Sequence, residues 1–153
     1  MKHVKNNNMR EKGDTVLFKF NILNKAQEIG LYMIDITIKM PKKYRIDIIN
    51  KLRETPFNII HIINEINSLE IDGEKATIQS IQQRLDLHKK LITEINDLDS
   101  FLLLCFNDRH HLINRAQLVH ATSLTYKFYE MVEKWADSDR QRGESWINNI
   151  KTE

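Results

Sequence analysis

Apolar residues recur at alternating steps of three and four along most of this chain, the spacing of one helical face. Between Thr15 and Lys39 the stripe runs through Val16, Phe20, Leu23, Gln27, Gly30, Ile34 and Ile38. A second line through Ala26, Ile29, Met33, Ile36 and Met40 widens it. Asp14 or Thr15 offers an N-cap oxygen for this first helix. Gly30 weakens the helix and leaves room for a close neighbour. A second helix is expected from about Tyr44 to Leu69, with positions 48, 52, 55, 59, 62, 66 and 69 on its stripe. Pro56 stands inside it, where a proline removes one backbone bond and collides with the preceding turn. The expectation is a kink or short break at residues 54–56, with Thr55 capping a restarted helix.

Ile71-Asp72-Gly73-Glu74 reads as a turn. A third helix follows from about Ala76 to Phe106, with a stripe through positions 78, 81, 85, 88, 92, 95, 99, 102 and 106. His88 and Asp99 interrupt that stripe, and a parallel line through Leu87, Leu91, Leu98, Phe101 and Cys105 reinforces it. Asn107 to Asn114 is turn-like. A fourth helix then runs to about Asp137, with Ala121, Leu124, Phe128, Met131 and Trp135 on one face.

Four long helices with short connections predict an all-α chain folded as an antiparallel up-down-up-down four-helix bundle. The bundle spans residues 14–138, between a disordered polar tail over 1–13 and a polar C-terminal extension over 139–153. Only 4 Gly and 2 Pro occur in 153 residues, too few for the frequent turns of an all-β fold. The apolar faces are wide, which points to self-association.

Net charge is only +2, so any phosphate-binding surface must come from local clusters rather than overall balance. The densest cluster is Lys39-Met40-Pro41-Lys42-Lys43-Tyr44-Arg45, in the first interhelical connection. Lys39, Lys42, Lys43 and Arg45 against Asp47 give +3. In the expected topology the third connection lies at the same end, and Arg109 and Arg115 against Asp108 add +1 there. His110 and His111 stand beside them. The opposite end carries Glu65, Glu70, Asp72 and Glu74. The expected molecule has a basic end, suited to phosphates or an acidic protein surface, and an acidic end.

Enzyme signatures are mostly missing. The chain has no glycine-rich phosphate loop, no clustered Cys/His metal pattern and no Gly-x-Ser-x-Gly turn. Neither metal nor cofactor is expected. Cys105, the sole cysteine, lies in an apolar run and reads as a small buried hydrophobe. The N-terminus lacks the apolar core of a signal peptide, and no apolar run approaches 18 residues; the expected location is cytoplasmic, with no membrane partner. One catalytic alternative remains. Arg115-Ala116-Gln117-Leu118-Val119-His120 is similar to the Arg-x(4–6)-His motif of HEPN ribonucleases, in which the pair acts on an RNA 2′-hydroxyl and its adjacent phosphate. Five helical residues turn about 500°, so the two side chains stand about 140° apart.

The helices and basic hairpin together resemble the four-helix-bundle proteins related to Avd, the accessory variability determinant of diversity-generating retroelements. That superfamily includes four-helix proteins encoded in ribosomal-RNA intervening sequences. The resemblance covers about residues 22–142. It rests on Lys39-Met40-Pro41-Lys42 with Arg45, followed by the apolar helix from Ile46 to Arg53. Ile62-Ile63-Asn64-Glu65-Ile66-Asn67 and the stretch from Trp135 to Arg142 add to it. Pro56 and the extension from Gly143 onward depart from the family pattern. The resemblance implies a non-enzymatic homo-oligomer, a barrel-like pentamer, that binds a reverse transcriptase and RNA or DNA. Lys39, Lys42, Lys43 and Arg45 are then the first candidates for contact, and Arg109, Arg115, Arg140 and Arg142 the second. The other readings are the ribonuclease and a structural oligomer without nucleic-acid binding.

Overall fold

A computed structural model describes the backbone of residues 4–152 and the side chains of residues 21–152. It is all-helical, with four long helices and no strand among the described residues. They are α1 (Val4–Ile38), α2 (Asn50–Ser68), α3 (Ile78–Asn107) and α4 (Arg115–Thr152). α1 packs on α2 and α4, and α3 packs on α2 and α4, so the four surround one core. Ile22, Met33, Leu52, Ile63, Leu91, Leu98, Phe128 and Val132 are fully buried in it, each such side chain contributing on the order of 1.5–3 kcal/mol.

The order of the two lines on α1 is reversed from the expectation. Ala26, Ile29, Met33, Ile36 and Met40 face the core, while Ile34 and Ile38 are exposed. The partner helices decide this: the unbroken apolar line is buried, and the line interrupted by Gln27 and Gly30 lies at the edge of the core or outside it. The side chains of Val16 and Phe20, and those of Asp14 and Thr15 expected as caps, lie outside the described residues. The tail expected over 1–13 is helical from Val4 onward, with residues 1–3 outside the description; no proline interrupts that stretch.

Pro56 neither breaks α2 nor restarts it. Thr55 is inside the helix, buried, with its hydroxyl donating to the Lys51 carbonyl at 2.8 Å rather than capping. The irregular winding falls earlier instead, in a single 3₁₀ turn over Lys42–Tyr44 and a π turn over Arg45–Ile49. Gly30 does admit a close neighbour: a Cβ there would lie 3.3 Å from Pro56 Cβ.

α3 starts at Ile78 because Thr77 and Ser80 form a reciprocal capping box. The Thr77 hydroxyl accepts from the Ser80 amide at 3.0 Å, and the Ser80 hydroxyl accepts from the Thr77 amide at 2.8 Å. α4 does not end near Asp137 but continues to Thr152. Its extra turns are packed, since Asp139 is 0 % exposed and Gly143 is buried against Ile81 and Ile71. The polar extension expected from residue 139 is therefore part of the core helix.

Candidate functional site

The first connection turns on two anchors. Met40 is buried and Tyr44 is half-buried against the core. Between them Pro41, in an extended conformation, stops α1, and the Tyr44 amide donates to the Pro41 carbonyl at 3.0 Å. Everything else on this segment faces water: Lys39, Lys42, Lys43, Arg45 and Ile46 are exposed, Ile46 at 80 %. Lys43 Nζ stands 5.0 Å from the centre of the Tyr44 ring.

The third connection is built the same way. Buried Ile113 pins it. Asp108 accepts from the His110 amide at 2.8 Å, and His111 takes a left-handed conformation with φ 46°. Asn114 and Gln117 open α4 with reciprocal side-chain bonds of 2.8 and 2.9 Å. Arg109, His110, His111 and Arg115 are exposed.

Cross-helix contacts relate the two connections. Arg53, early in α2, donates to Thr37, late in α1, at 2.8 Å. Tyr32 donates to the Gln117 carbonyl at 3.5 Å and stacks edge-on against His120, both at the start of α4. The end of α1 and the start of α4 therefore lie together. Lys39, Lys42, Lys43, Arg45, Arg109 and Arg115 are brought to this end, and none forms an ion pair among the described residues.

Arg140 and Arg142 are not brought there. The length of α4 carries them toward the α2–α3 turn. Arg142 grips Asp72 through two bonds of 2.8 Å, and Arg140 pairs with Asp137 at 2.7 Å. The expected acidic end is accordingly offset by arginine at Asp72. Arg115 and His120, the ribonuclease alternative, share no hydrogen bond; the His120 ring is instead packed against Tyr32 at 4.5 Å between centres.

A second polar constellation centres on three buried side chains, Arg84, His88 and Asp139. Arg84 Nε and Nη2 donate to the two oxygens of Asp139 at 2.6 and 3.2 Å. Arg84 Nη1 also donates to the Ile66 and Leu69 carbonyls at 3.0 and 2.6 Å, at the end of α2. His88 Nε2 meets the same Asp139 oxygen at 2.7 Å, and its ring packs edge-on against Trp135. Arg142 approaches the other oxygen at 3.5 Å. Burial pushes the Asp139 carboxyl upward, but the bonds and charges of His88 and Arg84 outweigh it and hold the group below the usual carboxylate range. One atom is left over: His88 Nδ1 is buried without a partner.

The sequence marked this constellation only through His88, the polar residue on the α3 stripe. Asp99, the other interruption, accepts from the Thr125 hydroxyl at 2.5 Å. Arg84 carried no signal, and Asp139 lay beyond the expected end of α4. Among the described residues no group of three His, Cys, Asp or Glu side chains converges on a metal-sized site, and no helix is long and apolar enough to cross a membrane. No family model matches this chain, and no curated protein or solved structure matches it either.

Proposed function

We propose that this chain is a non-enzymatic Avd-like accessory protein that self-associates and binds a reverse transcriptase together with RNA or DNA. The observation carrying the reading is the group of exposed cations on the first connection, Lys39, Lys42, Lys43 and Arg45, which form no ion pair among the described residues. A phosphate backbone neutralised by such side chains releases counterions, so affinity comes from these residues without demanding a high net charge. Arg109 and Arg115 extend the surface. Arg140 and Arg142 drop out of the proposed interface, because carboxylates already engage them.

The finer architecture belongs to the same proposal. The contacts of Thr37 with Arg53, Arg84 with Ile66 and Leu69, Arg84 with Asp139, and Tyr32 with Gln117 favour an antiparallel up-down-up-down arrangement. Exposed Leu31, Ile38, Phe57, Leu104, Val119 and Tyr126 favour a homo-oligomer, and the family resemblance suggests a pentamer; a cytoplasmic location belongs to the same proposal.

Charge reversal at Lys42 and Lys43 tests the nucleic-acid arm. Fluorescence anisotropy with labelled single-stranded RNA and DNA is expected to show at least a ten-fold loss of affinity and a shallower salt dependence, with the circular dichroism spectrum unchanged. Unchanged affinity would remove the basic end from the proposal. The ribonuclease reading lacks such support, since Arg115 and His120 share no hydrogen bond and the His120 ring packs on Tyr32.

A further inference from the structure

The outward line of α1 and the adjoining face of α2 enclose an apolar groove of about 230 Å³. Leu31 and Ile34 form one wall, Phe57 and Ile60 the other. Its floor is the close approach of Gly30 to Pro56. Leu31 and Phe57 are 64 % and 67 % exposed. The volume falls below the ~300–1,000 Å³ of pockets that enclose a small molecule. It is scaled to a few side chains of a docked helix.

The groove carries one charge, Arg53. The Arg53 Nε donates to the Thr37 hydroxyl at 2.8 Å, and that buried hydroxyl is itself fixed by donating to the Met33 carbonyl at 2.7 Å. The guanidinium is thus held from one side, and among the described residues it has no carboxylate partner. An apolar groove with a pre-oriented, uncompensated arginine selects an apolar knob that bears a carboxylate. RNA fits it poorly, since a single cation among apolar walls offers little to a phosphate backbone.

The end of α3 has the complementary character. Leu103 and Leu104 are 50 % and 58 % exposed. Asp108 follows Leu104 by four residues, which places the two on one face. One Asp108 oxygen accepts from the His110 amide, and no cation pairs with the carboxylate among the described residues. Arg53 opposes Thr37 near the end of α1, and Asp108 opens the connection to α4, whose first turn opposes Tyr32. Groove and knob therefore lie at one end of the protein but on different sides, since α3 packs on α2 and α4 rather than on α1. Unlike surfaces at one level suit a heterologous contact, in which copies stand side by side in the same orientation.

We propose that the α1–α2 groove receives Leu104 and Asp108, at the end of α3, from a second copy of this chain, in a head-to-tail contact. Asp108 of one copy then meets Arg53 of the next. This rests on the self-association part of the proposed function and names the surfaces that would carry it.

Mass photometry and sedimentation velocity on the full chain test it. The parent protein is expected to assemble at micromolar concentration. Phe57→Asp and Leu104→Asp are each expected to yield monomers with unchanged helicity, since both side chains are exposed. Arg53→Glu and Asp108→Arg are each expected to weaken assembly at least ten-fold, and the double exchange to restore it. A monomeric parent protein overturns both this interface and the self-association reading. An oligomer untouched by Phe57→Asp and Leu104→Asp overturns the interface alone. Loss with Phe57→Asp but indifference to Leu104→Asp means that another segment fills the groove, and also overturns it. Failure of the double exchange to restore assembly removes the Arg53–Asp108 pairing.

Discussion

Arg84 and Asp139, fifty-five residues apart, meet through two bonds of 2.6 and 3.2 Å where almost no solvent reaches either side chain. Arg84 simultaneously ties down the Ile66 and Leu69 carbonyls, so one guanidinium joins the end of α2 to α3 and α4. Removing one partner strands the other charge in the interior. Asp139→Asn is expected to cost roughly 3–5 kcal/mol, the usual range for breaking a buried pair from one side. Urea denaturation at pH 7 measures it, and a loss under 1 kcal/mol would show that the network adds nothing to the fold.

Two aspartates should oppose each other in the acid limb. The folded-state carboxyl of Asp139 lies below its ordinary value, so its stabilisation is complete above the unfolded pKa of about 3.9 and fades as pH drops through the folded value. Asp99 is shifted the other way, raised by burial despite the bond from Thr125. Its contribution is fullest below the unfolded pKa and is lost as pH rises through the folded one. Denaturation profiles from pH 2 to 7 should therefore show the Asp139→Asn deficit shrinking in acid. Asp99→Asn, which keeps an acceptor for Thr125, should gain on the parent protein as pH rises. Parallel profiles for either variant would contradict the assigned sign.

The helices themselves were legible because their apolar spacing is regular, and the third connection because Asn107 to Asn114 breaks it. Which line on α1 would be buried was not, since Ile34 and Ile38 look as apolar as Ile29 and Ile36 until the partner helices choose. Pro56 misled for a similar reason: its local cost is fixed by chemistry, yet its ring is buried beside Gly30 and the helix continues through it. The cations at residues 39–45 were visible as a run of charge. The buried Arg84–Asp139 pair was not, because two charged residues on separate helices leave no periodic trace. Where α4 ends was hidden too, as the polar turns after Asp137 pack through Asp139 and Gly143 rather than through a leucine stripe.

Gly143 offers a direct check on that packing. An alanine Cβ there would lie 2.8 Å from Ile81 Cγ2 and 3.3 Å from Ile71 Cδ1. Alanine improves helix propensity by about 1 kcal/mol over glycine, so an unpacked helix end would gain stability. Because Ile71 and Ile81 are buried and have little room to yield, Gly143→Ala is expected to destabilise by about 1–3 kcal/mol, in line with overpacking elsewhere. A thermal melt that rises instead of falling would mean that the last turns of α4 are not docked on the α2–α3 turn.

Cys105 is 0 % exposed within the core, and its thiol is pushed up to about 11 by burial and by the charge of Asp108, against a small opposing effect from a backbone bond. Only the thiolate is nucleophilic, so reaction at pH 7.5 requires both opening of the helices and loss of this environment. Ellman's reagent should label the native protein at the rate of local or global opening, far slower than a free thiol, and the urea-unfolded chain at once. Asp108→Asn removes the charge and leaves the burial, so labelling of the native variant should remain slow. Rapid labelling of the folded parent protein would show that α3 opens around Leu102 and Cys105 even in the native state, and that its C-terminal end is less firmly seated than its contacts imply.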